Sequence, residues 1–154
     1  MKKLIVLAIA FASTSAFADG FVCQTHNNTL TVKAYDNTDA SQGTRNAAVM
    51  VLSDPEVRDG NKTIARFTDV KGTVTNHGAQ YVGNVDLRFN DSNKAGRLIG
   101  GTKLGQLDTI ELDVDFSYAQ PTENGESAEG VLHLNKRGGG EIALDVSCTR
   151  YLKN

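Results

Sequence analysis

The clearest pattern in the chain is strict alternation of apolar and polar residues between Thr109 and Tyr118. Ile110, Leu112, Val114, Phe116 and Tyr118 fall on one side, and Thr109, Glu111, Asp113, Asp115 and Ser117 on the other. Successive side chains of a strand leave opposite faces, so a period of two predicts a half-buried strand. A helix would scatter the same residues around its circumference. Leu30, Val32 and Ala34 alternate in the same way with Thr31, Lys33 and Tyr35. Ala47 to Ser53 is a short apolar run ended by Asp54-Pro55, and Ile64 to Thr75 reads as one long or kinked strand, with Gly72 a candidate bulge. Tyr81, Gly83, Val85, Leu87 and Phe89 form one face of the next strand, and residues 127–135 and 141–150 make the last two. Leu98 to Leu107 is the weakest segment, interrupted by Gly100, Gly101 and Gly105.

Turn chemistry falls between these runs. Asn76-His77-Gly78-Ala79 reads as a hairpin, Asn90 to Asn93 as a break, and Pro121 to Gly125 as a longer connection. Arg137-Gly138-Gly139-Gly140 suits a tip that needs positive φ. Matching the apolar faces sets a register, because a slip of one residue inverts a whole strand. Pairing Tyr118 with Ala128 places Leu112 opposite Leu134, Val114 opposite Leu132 and Asp113 opposite His133. Phe116 then lies over Gly130. Pairing Leu134 with Ile142 puts Ala128 opposite Cys148, which shares an inward face with Ile142, Leu144 and Val146. Its mate Cys23 is expected to point inward beside Phe21.

The first residues change the picture of length and compartment. Met1-Lys2-Lys3 precedes an apolar run, Leu4 to Ala12. That run is too short for a bilayer span, which needs about 20 residues. Ser13 to Ala18 supplies small residues at the −3 and −1 positions of an A-x-A site. The segment resembles a bacterial Sec-type signal. Cleavage after Ala18 would leave 136 of the 154 residues, a size that fits one domain spanning 19–154. The product is expected to be soluble and periplasmic or secreted, since no later segment stays apolar for a membrane span. The residues before Cys23 do not resemble a lipobox. In an oxidising compartment Cys23 and Cys148 allow one intramolecular pairing, a disulfide that closes nearly the whole domain. It makes the first and last strands neighbours. With strands this long, the fold class is all-β, a single-domain antiparallel β-barrel of seven or eight strands; a β-sandwich is the alternative.

Composition bounds the function. At 40% hydrophobic the chain is not disordered. Without Lys2 and Lys3 it carries 14 basic against 18 acidic residues, a net of −4, which disfavours nucleic acid as a partner. The row Glu111, Asp113, Asp115 has alternate carboxylates roughly 7 Å apart, too open for a calcium cage, and reads as a solvated sheet face. Asp91 to Gly96 begins like a calcium loop, but Ala95 and Thr102 occupy two ligand positions. Gly96 to Lys103 echoes a phosphate loop with Lys103 after Thr102 instead of before it. It reads as a lid-like segment bordering a barrel mouth. The histidines are His26, His77 and His133, and no G-x-S-x-G is present. No catalytic residue, metal or cofactor is therefore expected.

Two stretches resemble a known family. Gly78-Ala79-Gln80-Tyr81 is similar to the Gly-Ala-x-Tyr segment of bacterial inhibitors of c-type lysozyme. Lys136-Arg137-Gly138, with Leu144 and Cys148 following, is similar to their Lys-Gly…Leu strand leading to a C-terminal cysteine. The serine that family carries before the glycine is His77 here, and the gap between the segments is longer. The resemblance implies a small exported β-barrel whose surface around Ala79, Gln80 and Tyr81 enters a lysozyme cleft.

The functional expectation is an exported, non-catalytic binding barrel. Its ligand is either a small apolar molecule in the lumen or another envelope protein at the loop end. An envelope inhibitor is the first alternative. A small secreted hydrolase is the second, although a barrel with no Trp has little to stack on a sugar. An accessible interior pocket favours the small ligand, and a filled core with an exposed apolar loop patch favours the protein.

Overall fold

The alternation is realised as a run of strands. The computed structural model describes residues 19–27, 29–36, 47–54, 63–85 and 96–152. In chain order the strands are β1 (Gly20–Thr25), β2 (Thr31–Asp36), β3 (Ala47–Ser53), β4 (Thr63–Val74), β5 (Gly78–Asn84), β6 (Leu98–Ile99), β7 (Thr102–Lys103), β8 (Leu107–Asp115), β9 (Ser127–Lys136) and β10 (Glu141–Tyr151). One turn of 3₁₀ helix, Leu104–Gln106, links β7 to β8. The candidate signal in residues 1–18, the loop beginning at Asp91, and Leu87 and Phe89 lie outside the described residues.

Eight strands close into an antiparallel barrel in the order β1-β10-β9-β8-β5-β4-β3-β2, with β1 also pairing with β2. The fold is thus the barrel and not the sandwich. Closure pairs both sides of every barrel strand and removes the exposed edges that promote aggregation. Among the described residues no helix is long and apolar enough to cross a membrane.

Inward positions recur at every second residue and are almost wholly buried: Phe21 and Cys23, Val32 and Ala34, Ile110 and Leu112, Leu132 and Leu134, Val146 and Cys148. Together with Tyr81, Met50 and Leu52 they form one contiguous cluster that occupies the lumen. The β6–β7 hairpin covers the end where β8 begins. Ile99 and Leu104 are buried there. A Cβ on Gly100 would come within 2.9 Å of a Leu134 methyl carbon and 3.0 Å of one of Leu144. Arg97 anchors the hairpin by donating from Nη1 to the Thr63 carbonyl at 3.1 Å. The glycine-rich segment is therefore a lid on one mouth. At the other end the rings of Phe21 and Phe116 stand 5.9 Å apart, and the Arg150 guanidinium lies 5.0 Å above Phe21.

The disulfide Cys23–Cys148 joins two residues directly opposite each other on β1 and β10, with Cα atoms 3.9 Å apart across 125 positions of sequence. The β9–β10 register matches the face-matching pattern, with Leu134 opposite Ile142 and Ala128 opposite Cys148. The β8–β9 register differs by two residues. Leu112 faces Leu132, and Val114 faces Gly130. Faces are preserved, but Phe116 does not lie over Gly130, and Tyr118 is not inward: it is 100% exposed. The reason is local. Asp115 turns back to accept from the Ser117 N–H, so β8 stops at Asp115, while Phe116 N–H still donates to the His77 carbonyl at 3.0 Å in line with the β5–β8 register. Gly72 also pairs regularly, with Tyr81; the irregularities of β4 lie against Ala48–Met50 and Leu52–Ser53.

Two outcomes follow for stability. A cross-link closing a loop this long constrains the unfolded chain by up to about 5 kcal/mol in the entropy model. Reduction is expected to lower the melting temperature appreciably; an unchanged curve, with reduction confirmed by mass, contradicts this. A Cβ on Gly130 would sit 2.4 Å from the Asp113 carbonyl oxygen, while one on Gly96 would meet nothing within 4 Å. Gly130→Ala should therefore cost about 1–3 kcal/mol in urea unfolding and Gly96→Ala close to nothing.

Candidate functional site

The outward residues of β5, β8, β9 and β10 form a continuous polar chain across the wall. Gln80 stands opposite Asp113 in the β5–β8 register. Its Nε2 donates to Glu111 Oε1 at 2.6 Å and to Asp113 Oδ1 at 3.0 Å. The other Asp113 oxygen lies 3.4 Å from His133 Nε2, and His133 Nδ1 contacts Glu141 on β10. The two-residue slide of β8 against β9 makes the Asp113–His133 contact diagonal, a reach that long side chains span across a strand pair.

A second cluster forms where β1 closes against β10. His26 N–H donates to the Asp145 carbonyl at 3.1 Å, which brings the imidazole over Ser147. His26 Nε2 lies 3.0 Å from Ser147 Oγ, and that hydroxyl donates to Glu129 at 3.2 Å. The residue types are those of a nucleophile, a base and an acid. The arrangement is not that of a triad. The Glu129 carboxylate also lies 3.4 Å from His26 Nε2, so acid and hydroxyl converge on one ring nitrogen. Activation of a serine needs the acid on the opposite ring nitrogen, where it fixes the tautomer. The cluster lies as a surface clasp over the closure.

Acidic side chains concentrate on β8, β9 and β10, alongside Lys136 on β9 and Arg150 on β10. Glu111, Asp113 and Asp115 on β8, Glu129 on β9, and Glu141 and Asp145 on β10 occupy one wall. Lys33 on β2 and Arg66 and Lys71 on β4 are also exposed, and Lys71 lies two residues from Thr73 on the same strand. Among the described residues no group of three or more His, Cys, Asp and Glu is placed to hold a metal ion. Asp115 accepts both the hydroxyl and the backbone N–H of Ser117, the latter at 2.8 Å. These two bonds, the hydroxyl's first, hold its carboxyl below the usual aspartate range.

At the end of the barrel opposite the lid, a groove of about 320 Å³ opens on the acidic wall beside the β4–β5 turn. It is lined by Thr73, Thr75, His77, Gly78, Gln80 and Asp113, among others. The turn is held by the Thr75 N–H donating to the Gly78 carbonyl at 2.9 Å and by Thr75 Oγ1 accepting from the His77 N–H at 3.2 Å. The same end carries exposed apolar side chains: Val74 closing β4, Tyr118 beyond β8, and Tyr151 closing β10. Leu98 is exposed on the lid at the other end.

Of the three residues Ala79, Gln80 and Tyr81, only Gln80 reaches solvent. Ala79 and Tyr81 point inward and are buried. The structure unites Gln80 with Asp113 and His133, and places His77 on the groove rim. Sequence reading missed the lining by Thr73 and Thr75, which depends on the β4–β5 register, and the meeting of His26 with Ser147, which depends on barrel closure. The Cys23–Cys148 pairing was the signal from which that second meeting is reachable. No protein-family model matches the chain, and neither a curated protein nor a solved structure matches it.

Removing the Ser117 hydroxyl and loosening its turn should raise the Asp115 pKa toward the ordinary value of 3.8. The Ser117 contact stabilises the ionised form, so it is present above the unfolded-state pKa and is lost as pH falls through the folded one. Carboxyl-carbon NMR titration of wild type and Ser117→Ala is expected to show a lower midpoint in the wild type; coincident midpoints would refute the assignment.

Proposed function

We propose that the protein is an exported, non-catalytic β-barrel that recognises another envelope protein through the end bearing the β4–β5 turn. The observation that carries this reading is the pairing of an occupied lumen with apolar side chains exposed at one end. Small barrels either fill their interior or hold one small ligand. Here Tyr81, Met50, Ile110, Leu112, Leu132 and Leu134 take up the interior and are wholly buried. The lid covers one mouth, and the Phe21, Phe116 and Arg150 stack narrows the other. Binding chemistry is thereby pushed outward. Fully exposed Tyr118, with Val74 and Tyr151, is the kind of apolar and aromatic material enriched in recognition surfaces. The buried disulfide supports an oxidising compartment, where such bonds form and persist.

The test is site-specific photo-crosslinking in the source cells. A photoreactive residue at position 118 is expected to give a discrete adduct that excess unlabelled protein suppresses. The same residue at position 98, at the lid end, should give none. Absence of the position-118 adduct, together with a small molecule retained in native mass spectrometry, would transfer the function to the lumen.

A further inference from the structure

We infer that Asn124 is a modification site, whatever the barrel binds: its side-chain amide is lost to the Gly125 backbone nitrogen when the chain opens locally, and in the native fold two hydrogen bonds to the end of β10 hold that reaction off. Asn124-Gly125 is the one Asn-Gly step in the chain. In such a step the asparagine is at its most labile, because glycine has no Cβ to screen its nitrogen and its backbone reaches the conformation for ring closure without strain. The pair lies in the connection that runs from Tyr118 to β9. Both residues are exposed, and Gly125 has a φ of 90°. Burial therefore gives no protection from water.

Hydrogen bonding does give protection. Gly125 N–H donates to the Arg150 carbonyl at 2.9 Å, and Asn124 Oδ1 accepts from the Leu152 N–H at 2.9 Å. The Arg150 N–H returns a bond to the Glu126 carbonyl at 2.8 Å. Nucleophile and electrophile are thus both tied to the end of β10. Glu126 also holds the turn shut, accepting from the Thr122 and Glu123 N–H groups.

The reaction is a cyclisation followed by hydrolysis. Gly125 nitrogen gives up its proton and attacks Asn124 Cγ. A bond forms between them, the Cγ–Nδ2 bond breaks, and the side-chain nitrogen leaves as ammonia with that proton. Water then opens the cyclic imide at either carbonyl. Its hydroxyl stays on the attacked carbon as a carboxyl group, and its other proton restores an amide N–H. Opening at Cγ gives aspartate; opening at the main-chain carbonyl gives isoaspartate. Each native contact blocks one half of the first step. The Arg150 carbonyl engages the proton that must leave, and the Leu152 N–H holds the Asn124 side chain away from the turn back onto Gly125. Glu123 and Glu126 flank the pair, and nearby carboxylates disfavour an amide anion. The contacts sit where β10 ends, and strand ends open at lower cost than the core. An isoaspartate at 124 carries an added methylene in the main chain, which puts the turn out of step with Arg150 and Leu152. The opened corner then cannot reclose as before.

The experiment incubates the disulfide-bonded protein in mildly alkaline buffer, beside the same protein reduced in denaturant, and follows each asparagine by peptide mass spectrometry. In denaturant Asn124 is expected to convert first, with isoaspartate detected by isoaspartyl-specific methylation. In the folded protein its conversion should be slower by about tenfold or more, since it waits on opening of the corner. Leu152→Pro removes the donor to Asn124 Oδ1, and a chain ending at Tyr151 removes it by a second route. Each should speed folded-state conversion at Asn124 several-fold. Asn135, bonded to Thr109 inside the wall, should stay as slow as in the wild type, which separates local opening from unfolding. Equal rates in folded and denatured protein, an unchanged folded-state rate in both Leu152 variants, or a product free of isoaspartate would overturn the proposal.

Discussion

The architecture depends on one closure, the insertion of β1 between β10 and β2. Without it the sheet would be an open strip with a bare edge on each side. The two closing interfaces have different strengths of specification. Between β1 and β2 the connection is short, so their pairing is a local event that costs little loop entropy. Between β1 and β10 the partners are separated by almost the whole chain, and the covalent bond between Cys23 and Cys148 sits in the middle of that interface. A bond between directly opposed residues also sets register: Phe21 must meet Arg150, and Thr25 must meet Val146. The His26–Ser147–Glu129 clasp then lies over the same seam from outside. Inner covalent bond and outer hydrogen bonds act on one joint.

Filling of the lumen follows from the strand pattern. Inward positions are dominated by Leu, Ile, Val, Phe and Tyr, so closing the wall brings these side chains together. Burial of each stabilises by roughly 1.5–3 kcal/mol, which opposes the entropy of ordering the strands. A cavity at the centre would forgo part of that gain. The outward positions are consequently where specific polar chemistry can be displayed, and alternation supplies them at regular intervals. The ladder from Gln80 through Asp113 and His133 to Glu141 is a product of pleat geometry: one outward residue per strand, at a height set by register.

Much of the architecture was readable in the chain because a period of two carries both element type and facing. The limits of Ala47–Ser53, the β9–β10 register and the disulfide needed no tertiary knowledge. The β8–β9 slide could not be read this way. Shifting two strands by two residues preserves every inward and outward assignment, so hydrophobic matching is blind to it. The end of β8 was equally hidden: it is set by the turn in which Asp115 accepts from the Ser117 N–H. The candidate site suffers from the same blindness. Direct opposition of Asp113 and His133 was the expectation, and diagonal contact is the outcome. Thr73 and Thr75 were invisible because their role needs the β4–β5 register. Tyr118 illustrates the cost of extending a pattern past its strand: the alternation continues for one more residue, while the backbone has already left the sheet.

That early end of β8 matters beyond register. Had the strand continued through Tyr118 as the alternation suggests, its ring would lie in the mouth over Phe21, and the rim would lose its most exposed aromatic group. Phe116 instead takes the inner place, with its ring 5.9 Å from that of Phe21, and the chain turns outward directly after it. Phe116 N–H is held by the carbonyl of His77, in line with the β5–β8 register and inside the same turn that walls the groove. That backbone contact ties the aromatic plug to the β4–β5 turn, and the Asp115–Ser117 turn directs Tyr118 outward. A change at His77 that moved its carbonyl would disturb the plug and the turn together. The link between an interior packed to the rim and a surface prepared for recognition is thus a main-chain bond at the edge of the barrel.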